Sequence, residues 1–259
     1  IAGIVPGLLI VATQMANVFV IARSRGYSTY PKAPWSEFFA AALVAIPALV
    51  TPAIIIGGKV FGWFTPTESA CVAVVYAAFL SLIIYREMSG PVVYRAFLDT
   101  ARLASVALFC VGTASAFGWL LAYYQIPQAI LSGVGTWGMT AIQTGFFIAL
   151  TFLIVGCFLD AIPAIIIVGT ILQPLAMSVG MDPVHFAMIG IMSLAFGLVT
   201  PPYGLCLMIA CRIGGIRIGD AIWNVILFLL PMLGVLATVI VFPEVVLGLP
   251  RLIAPDLLR

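Results

Sequence analysis

Two successive prolines interrupt an apolar, helix-forming stretch of this chain at residues 197–205, which read GLVTPPYGL. A proline within a helix removes a backbone donor and clashes with the preceding turn, so we expect the helix to break here. Thr200 is of a type that often caps a helix, and Pro201 is of a type that often opens one. The pattern therefore predicts that a new half-helix begins at Thr200.

A second interruption is predicted earlier in the chain, at residues 156–163, which read GCFLDAIP. Asp160 is of a helix-capping type, and Pro163 would lie in the first turn of the helix that follows. Asp160 is also the only acidic residue between Asp99 and Asp182. A carboxylate within a membrane indicates function by default, and a structural helix cap is the alternative. The two roles are compatible, and proline kinks without function are common in membrane helices.

Each interruption would end one half-helix and begin another, which leaves backbone groups without helical partners. Carbonyl oxygens at the end of a half-helix suit a hard cation such as Na⁺, and N–H groups at the start of the next suit a carboxylate. We therefore predict a sodium site and an organic-anion site built largely from the backbone. The sodium candidates are Gly156, Cys157, Asp160, Gly197, Val199 and Thr200. The substrate candidates are Ala161, Ile162, Pro201, Pro202, Tyr203 and Gly204.

The composition indicates a protein that crosses a membrane several times. Of the 259 residues, 64% are hydrophobic and 8% are charged, and the mean hydropathy is +1.25. No Asp, Glu, Lys or Arg occurs between Leu103 and Leu159. Soluble domains of this length do not have such a composition. The net charge of +2 gives no indication of nucleic-acid binding, because the few cations lie in short loops.

The cysteines indicate no disulfide or metal chemistry. All five lie in apolar segments without Cys-x-x-Cys spacing, so we expect free thiols that pack as small hydrophobic residues. A single His185 cannot build a metal site with them. The chain begins at Ile1, inside an apolar helix, so we also expect it to be a fragment.

The apolar runs predict an order of helices, and the loop charges predict their orientation. We expect spans or limbs at about 4–22, 37–61, 66–85, 105–123, 142–159, 162–177, 184–211 and 221–241. Residues 91–104 are interpreted as an amphipathic helix on the cytoplasmic surface, and 125–140 as a charge-free connection. Lys and Arg cluster after the first and third helices and after the broken helix, which places those loops in the cytoplasm.

Two topologies are open for residues 142–177. They form either two full spans or one re-entrant hairpin that enters and leaves from the outer side. Each limb has about 16–18 residues, at the lower limit for crossing roughly 30 Å of hydrocarbon. The tip carries no basic residue and no hydrophilic loop, so we favour the hairpin.

Two further motifs predict helix starts. Thr65 followed by Pro66 and Glu68 is typical of a capping box that opens the third helix. Asp182 followed by Pro183 repeats the arrangement of a cap and a proline at the start of the broken helix. We interpret both motifs as mainly structural.

Several motifs resemble, in order and spacing, the large membrane subunit of tripartite ATP-independent periplasmic (TRAP) transporters. They are GWFTPTE at 62–68, YRE at 85–87, FLD at 158–160, DPVHF at 182–186 and GLVTPPYGL at 197–205. The resemblance covers essentially the whole chain but only the C-terminal portion of such a subunit. Members of the family often carry a proline directly after the hairpin aspartate, where this chain has Ala161 and places Pro163 two residues later.

The resemblance implies an all-α polytopic protein of the bacterial inner membrane, which forms half of an elevator-type transporter with a re-entrant helical hairpin and a discontinuous helix. It implies Na⁺-coupled symport of a small organic acid, such as a C4-dicarboxylate or sialic acid, with ion sites at the two interruptions. The implied partners are an extracytoplasmic substrate-binding protein, a small four-helix membrane subunit, and the missing N-terminal repeat of the same subunit.

The same resemblance suggests four regions. They are scaffold-type helices at 1–61, a capped transmembrane helix with a cytoplasmic arm helix at 62–104, a transport-domain repeat at 105–219 with its hairpin at 142–177 and broken helix at 184–211, and a C-terminal helix and tail at 220–259.

Two other classes of function compete with transport. One is a non-transporting membrane assembly subunit or a degenerate remnant of a transporter. The other is an intramembrane enzyme, but aspartyl chemistry needs two carboxylates and Asp160 has no partner in the membrane. His185 is predicted to lie near a loop, where it is poorly placed to act as a base. We therefore expect no enzymatic activity. The organic acid is not specified, because no Lys or Arg lies at the predicted midplane.

Overall fold

The computed structural model describes residues 1–27, 34–86, 88–135, 138–201 and 204–253, and every regular element in these ranges is a helix. The helices are α1 (Ile4–Ser24), α2 (Trp35–Val60), α3 (Pro66–Phe79), α4 (Gly90–Tyr123), α5 (Ile126–Gly135), α6 (Ala141–Gly156), α7 (Ala161–Ala164), α8 (Thr170–Ser178), α9 (Pro183–Gly197), α10 (Leu205–Gly214), α11 (Ile218–Val241) and α12 (Glu244–Ile253). Short π-helical segments continue α3 over Leu80–Ile84 and join α7 to α8 over Ile165–Gly169. The predicted all-α class is confirmed.

Six helical segments in the described ranges are long and apolar enough to cross a membrane. They are Ile4–Ser24, Trp35–Lys59, Pro66–Ile84, Gly90–Tyr123, Ala161–Ser178 and Ile218–Val241. Helices α6, α9 and α10 are apolar but shorter than these. The predicted polytopic membrane architecture is confirmed.

The chain divides into two compact units, and the division falls within α4. Unit 1 comprises Ile1–Tyr27 and Ala107–Arg259, and unit 2 comprises Ser28–Val106. Helix α1 thus belongs with the C-terminal helices, whereas the sequence grouped it with 28–61. The functional labels given to the four regions remain predictions.

The core of unit 1 lies between α6 and α9. Ile148 of α6, Ile189 of α9 and Val239 of α11 are fully buried there. Helices α8, α11 and α12 pack around this pair, α1 packs on α11, and α5 packs on α8. The short apolar helices α6 and α9 therefore lie at the centre of unit 1.

Unit 2 is built on the packing of α2 against α3. The predicted capping box is confirmed, because Glu68 Oε2 accepts a 2.8 Å hydrogen bond from Thr65 N–H and Thr65 Oγ1 accepts one of 3.3 Å from Glu68 N–H. Farther along α3, the Tyr76 hydroxyl donates to the carbonyl of Pro47 in α2, at 3.0 Å. This bond ties the two helices together within their apolar interface.

Two local predictions differ from the structure. The segments 91–104 and 105–123 form the single 34-residue helix α4, because no proline or glycine separates the good helix formers around Ala104. The connection at 125–140 contains the helix α5, which has Pro127 in its first turn. A capping box between Thr140 and Gln143, which the sequence analysis did not use, begins α6.

Candidate ion and substrate site

Helices α6 and α9 run parallel and end side by side. Gly145 of α6 faces Ile189, Phe152 lies against Gly190, and Gly156 lies against Gly197. These contacts proceed toward the C-terminus along both helices at once, which shows that the two helices point in the same direction. The C-terminal ends of both helices, where the two interruptions begin, are brought together.

The contact between Gly156 and Gly197 is backbone on backbone. A Cβ on Gly197 would lie 2.6 Å from the carbonyl oxygen of Leu153 and 2.8 Å from the Cα of Gly156. A Cβ on Gly156 would lie 2.9 Å from the carbonyl oxygen of Leu194. Neither position can hold a side chain without moving a helix. Glycine at both positions therefore allows the two helix ends to touch.

Two carbonyl oxygens at the end of α6 lack a hydrogen-bond donor among the described residues. The N–H groups of Phe158 and Leu159 both bond to the carbonyl of Val155, at 3.0 and 2.9 Å. As a result, the carbonyls of Gly156 and Cys157 accept no hydrogen bond from any described residue. The negative end of the helix dipole lies at the same place, so the electrostatics favour a cation.

Asp160 caps the helix that follows, as predicted. Its Oδ1 accepts a 2.8 Å hydrogen bond from Ala161 N–H, and its backbone is extended. The Asp160 side chain is exposed, in contrast to the buried Gly156 and Cys157. Capping uses only part of the carboxylate, which leaves oxygen lone pairs for another ligand.

The break after α9 is confirmed, but the predicted role of Thr200 as a helix cap is wrong. The Thr200 hydroxyl donates back to the carbonyl of Phe196 at 2.6 Å, and α10 begins at Leu205 with Gly204 as its N-cap. The prediction that Pro201 occupies the first helical position is therefore also wrong. A residue before a proline disfavours the helical region, and both Thr200 and Pro201 precede a proline.

Gly204 connects the two halves of the broken helix at a point where their backbones lie close together. Its φ is +27°, and a Cβ there would lie 2.8 Å from the carbonyl oxygen of Thr200. Cys206 N–H donates to the carbonyl of Leu198 at 3.0 Å, which ties α10 to the end of α9. The carbonyls of Val199 and Thr200 accept no hydrogen bond within the described ranges.

The predicted site residues thus fall into two groups. Gly156, Cys157, Gly197, Val199 and Thr200 lie at the paired ends of α6 and α9, and Asp160, Ala161 and Ile162 lie at the start of the helical segment 161–178. Pro201 is half-buried in the break and Gly204 is buried at its far end. Pro202 and Tyr203 lie outside the described residues, as does Glu87 of the YRE motif.

His185 lies in the first turn of α9, near a loop as predicted, but it is also a core residue. It is buried, and its Nε2 lies 2.9 Å from the carbonyl oxygen of Val239. A carbonyl only accepts, so Nε2 carries the hydrogen. Asp182 caps α9 as predicted, by accepting a 2.8 Å bond from Val184 N–H. Helical spacing from His185 to the buried Ile189 was the signal that could have indicated burial.

A cavity of about 370 Å³ lies beside the break. Val199 and helices α10 and α11 form its walls, with Leu207, Cys211, Asn224, Phe228 and Met232 among the lining residues. The lining is almost entirely apolar, and Asn224 supplies a polar side chain. The cavity therefore makes α11 a direct neighbour of the candidate site.

Two half-helix ends that meet within a helical membrane protein are an arrangement that membrane transporters use to bind ions and substrates. A comparison with known protein families identifies one family that matches nearly the whole chain. Residues 1–245 match the family described as "Tripartite ATP-independent periplasmic transporter, DctM component", and the chain belongs to this family. The members of this family are components of a membrane transporter, and the proteins similar to this chain are transporters rather than enzymes.

Similar proteins with assigned transport roles come from several bacteria. The chain is 36% identical to a sialic acid TRAP transporter large permease of Vibrio cholerae, 35% identical to a C4-dicarboxylate TRAP transporter large permease of Pseudomonas aeruginosa, and 34% identical to an ectoine/5-hydroxyectoine TRAP transporter large permease of Ruegeria pomeroyi. The alignments cover 97%, 97% and 96% of this chain and 59%, 59% and 58% of the relatives. The chain thus spans less than two thirds of their length.

Proposed function

We propose that this chain is part of a Na⁺-coupled secondary transporter that imports a small organic acid. The approach of Gly156 to Gly197 carries the proposal, because it places two half-helix C-termini together. Carbonyl oxygens that receive no hydrogen bond from the described residues lie at both ends, on Gly156, Cys157, Val199 and Thr200. Oxygen atoms are the ligands that hard cations prefer, and half-helix ends bind Na⁺ in other transporters.

The substrate would bind at the starts of the following helical segments. Segment 161–178 and helix α10 both begin beside the interruptions, and the first N–H groups of a helix favour a carboxylate. Sialic acid, C4-dicarboxylates and ectoine, which name the relatives, are all carboxylates. We therefore assign the substrate to the small carboxylates, with Ala161, Ile162, Pro201, Pro202, Tyr203 and Gly204 as the proposed contacts.

Limb length supports a re-entrant hairpin for residues 141–178. Helix α6 has 16 residues and segment 161–178 has 18. At a rise of 1.5 Å per residue α6 extends about 24 Å, which is short of the roughly 30 Å of hydrocarbon. Segment 161–178 extends about 27 Å and is close to the length that crosses it. We propose an elevator mechanism in which unit 1 carries ion and substrate. Its partners are an extracytoplasmic binding protein, a small four-helix membrane subunit and the N-terminal repeat of the large subunit.

The test is uptake by the complete transporter reconstituted in proteoliposomes. Loaded binding protein is added outside, and labelled sialic acid, succinate or ectoine is followed with an inward gradient of Na⁺ or of K⁺. We expect uptake of one of these acids with the Na⁺ gradient only. Equal uptake with both cations would contradict Na⁺ coupling. Absence of uptake for every acid, in a preparation whose subunits assemble, would favour the non-transporting assembly subunit.

A further inference from the structure

Helix α11 contains a proline that deprives its own backbone of a donor. Pro231 lies at an interior position of the helix, where the N–H of that residue would normally bond to the carbonyl of Leu227. The proline ring also disturbs the preceding turn, which includes the next carbonyl, that of Phe228. In an apolar environment a carbonyl without a donor is unfavourable, so these oxygens need partners from a neighbouring helix.

Helix α1 supplies the missing donors. Asn17 Nδ2 donates to the carbonyl of Leu227 at 2.9 Å, and Gln14 Nε2 donates to the carbonyl of Phe228 at 2.8 Å. The two amides are three residues apart and therefore share one face of α1. The two donors therefore reach the same two carbonyls whose hydrogen bonding within α11 is disturbed by Pro231.

Two further observations show that the pairing is specific. The Oε1 atom of Gln14 is buried and has no hydrogen-bond partner among the described residues. Gln14 therefore contributes to this contact through its Nε2 donor and not through its acceptor. Arg25, farther along α1, donates to Asn224 Oδ1 of α11 at 2.6 Å. The bonds thus follow one stripe of α1 and one stripe of α11.

Two of the three α11 residues that receive these bonds also line the cavity beside the broken helix. Asn224 and Phe228 line it on the α11 side, and Val199 of the break lines it on the other. A shift of α11 away from α1 would therefore change the volume next to the candidate site. The position of α11 therefore depends on whether the carbonyls of Leu227 and Phe228 receive hydrogen bonds from α1.

We propose that Asn17 and Gln14 are positioning residues that replace the donor lost at Pro231 and so hold α11 as a wall of the cavity beside the break. Helices α1 and α11 then act as one rigid element. The inference does not depend on Na⁺ coupling or on the substrate, because it rests only on the backbone of α11 and its partners.

The test uses a native cysteine as a reporter. Cys211 is a free, buried thiol in the cavity wall, and Cys157 is a free, buried thiol at the end of α6. The complete permease in detergent, without Na⁺ or substrate, is treated with N-ethylmaleimide, and mass spectrometry measures the rate at each cysteine. Asn17→Leu keeps the size of the side chain and removes the donor. We expect it to raise the rate at Cys211 about three- to twentyfold, with Cys157 unchanged.

The decisive variant combines Asn17→Leu with Pro231→Ala. Alanine at position 231 restores the N–H that can bond to the carbonyl of Leu227, so the rate at Cys211 returns to the wild-type value. Thr13→Val is the matched control, because the Thr13 hydroxyl donates only within α1, to Leu9 and Ile10 carbonyls. An effect of Asn17→Leu that persists with Pro231→Ala, no change at Cys211, or equal increases at both cysteines would overturn the proposal.

Discussion

At the scale of single residues, the two apposed glycines decide whether the candidate site can exist. The Gly156–Gly197 contact allows no Cβ on either side, and the carbonyls that have no donor among the described residues lie within a few residues of it. A side chain here would separate the half-helix ends before it touched any ligand. A larger side chain at either position would therefore change the packing of the helix ends and the arrangement of the proposed ion ligands together.

Gly197→Ala tests this link. The new Cβ would lie 2.6 Å from the carbonyl oxygen of Leu153, so α6 and α9 must separate. We expect a loss of about 1–3 kcal/mol in the free energy of unfolding and a rise in the Na⁺ concentration that gives half-maximal uptake. Gly234→Ala is the control, because a Cβ on Gly234 meets no atom within 4 Å. Equal behaviour of the two variants would contradict the close contact.

Asp160→Asn separates charge from capping. Asparagine caps a helix about as well as aspartate, so the start of segment 161–178 should keep its stability. We expect expression and melting temperature close to those of the wild type, while the Na⁺ dependence of uptake weakens by several fold because a negative ligand is lost. An equal fall in expression and in uptake would favour a purely structural role for Asp160.

Thr200→Ala removes a hydroxyl that folds back onto α9. The hydrogen bond from Thr200 Oγ1 to the carbonyl of Phe196 holds the first residues of the break in place. We expect Na⁺-dependent uptake to fall more than the amount of folded protein, measured on the same membranes. Thr200→Ser, which keeps the hydroxyl, serves as the control and should retain most of the uptake.

At the scale of helices, side-chain caps define where the limbs begin. Thr140 and Gln143 open α6, Asp160 opens segment 161–178, and Asp182 opens α9. A cap satisfies N–H groups that the helix itself leaves free, which fixes the first turn. The limbs of the hairpin are therefore anchored at both of their starts.

Thr140→Ala tests the cap of α6 without approaching the site. Thr140 and Gly156 lie at opposite ends of the helix, about 24 Å apart along its axis. We expect a loss of about 1 kcal/mol, or about 2–4 °C in melting temperature, with the same half-saturating Na⁺ concentration. Thr140→Ser restores the cap and should restore the melting temperature. A changed Na⁺ dependence in Thr140→Ala would indicate coupling along α6 that the structure does not explain.

The sequence located the breaks but not their internal geometry. Proline and glycine fix where a helix stops, so 156–163 and 197–205 could be identified from local chemistry. The cap role of Thr200 was wrong because a threonine hydroxyl can bond to either neighbouring helix, and the consecutive prolines delay the restart to Leu205. The contact of Gly156 with Gly197 depends on parallel packing of distant segments, which no local pattern specifies.

At the scale of the whole molecule, an ion that binds only the folded state must stabilise it. The proposed sodium site needs both the end of α6 and the end of α9, so an unfolded chain does not offer it. We expect NaCl to raise the melting temperature of the complete permease above that in KCl or choline chloride. The gain is about 2.7 kcal/mol when Na⁺ is at one hundred times its dissociation constant. Identical melting temperatures in the three salts would contradict the site.

The unbroken course of α4 has a consequence for the surface of the protein. Its 34 residues extend about 51 Å, whereas the hydrocarbon layer is roughly 30 Å thick. Even at a tilt of about 40°, the upper end of the usual range, the helix would still reach about 39 Å along the bilayer normal. At that tilt the excess of about 9 Å along the normal corresponds to roughly eight residues, which include Arg95. In an upright helix the turns that carry Asp99 and Arg102 also lie beyond the acyl chains, within reach of lipid phosphates.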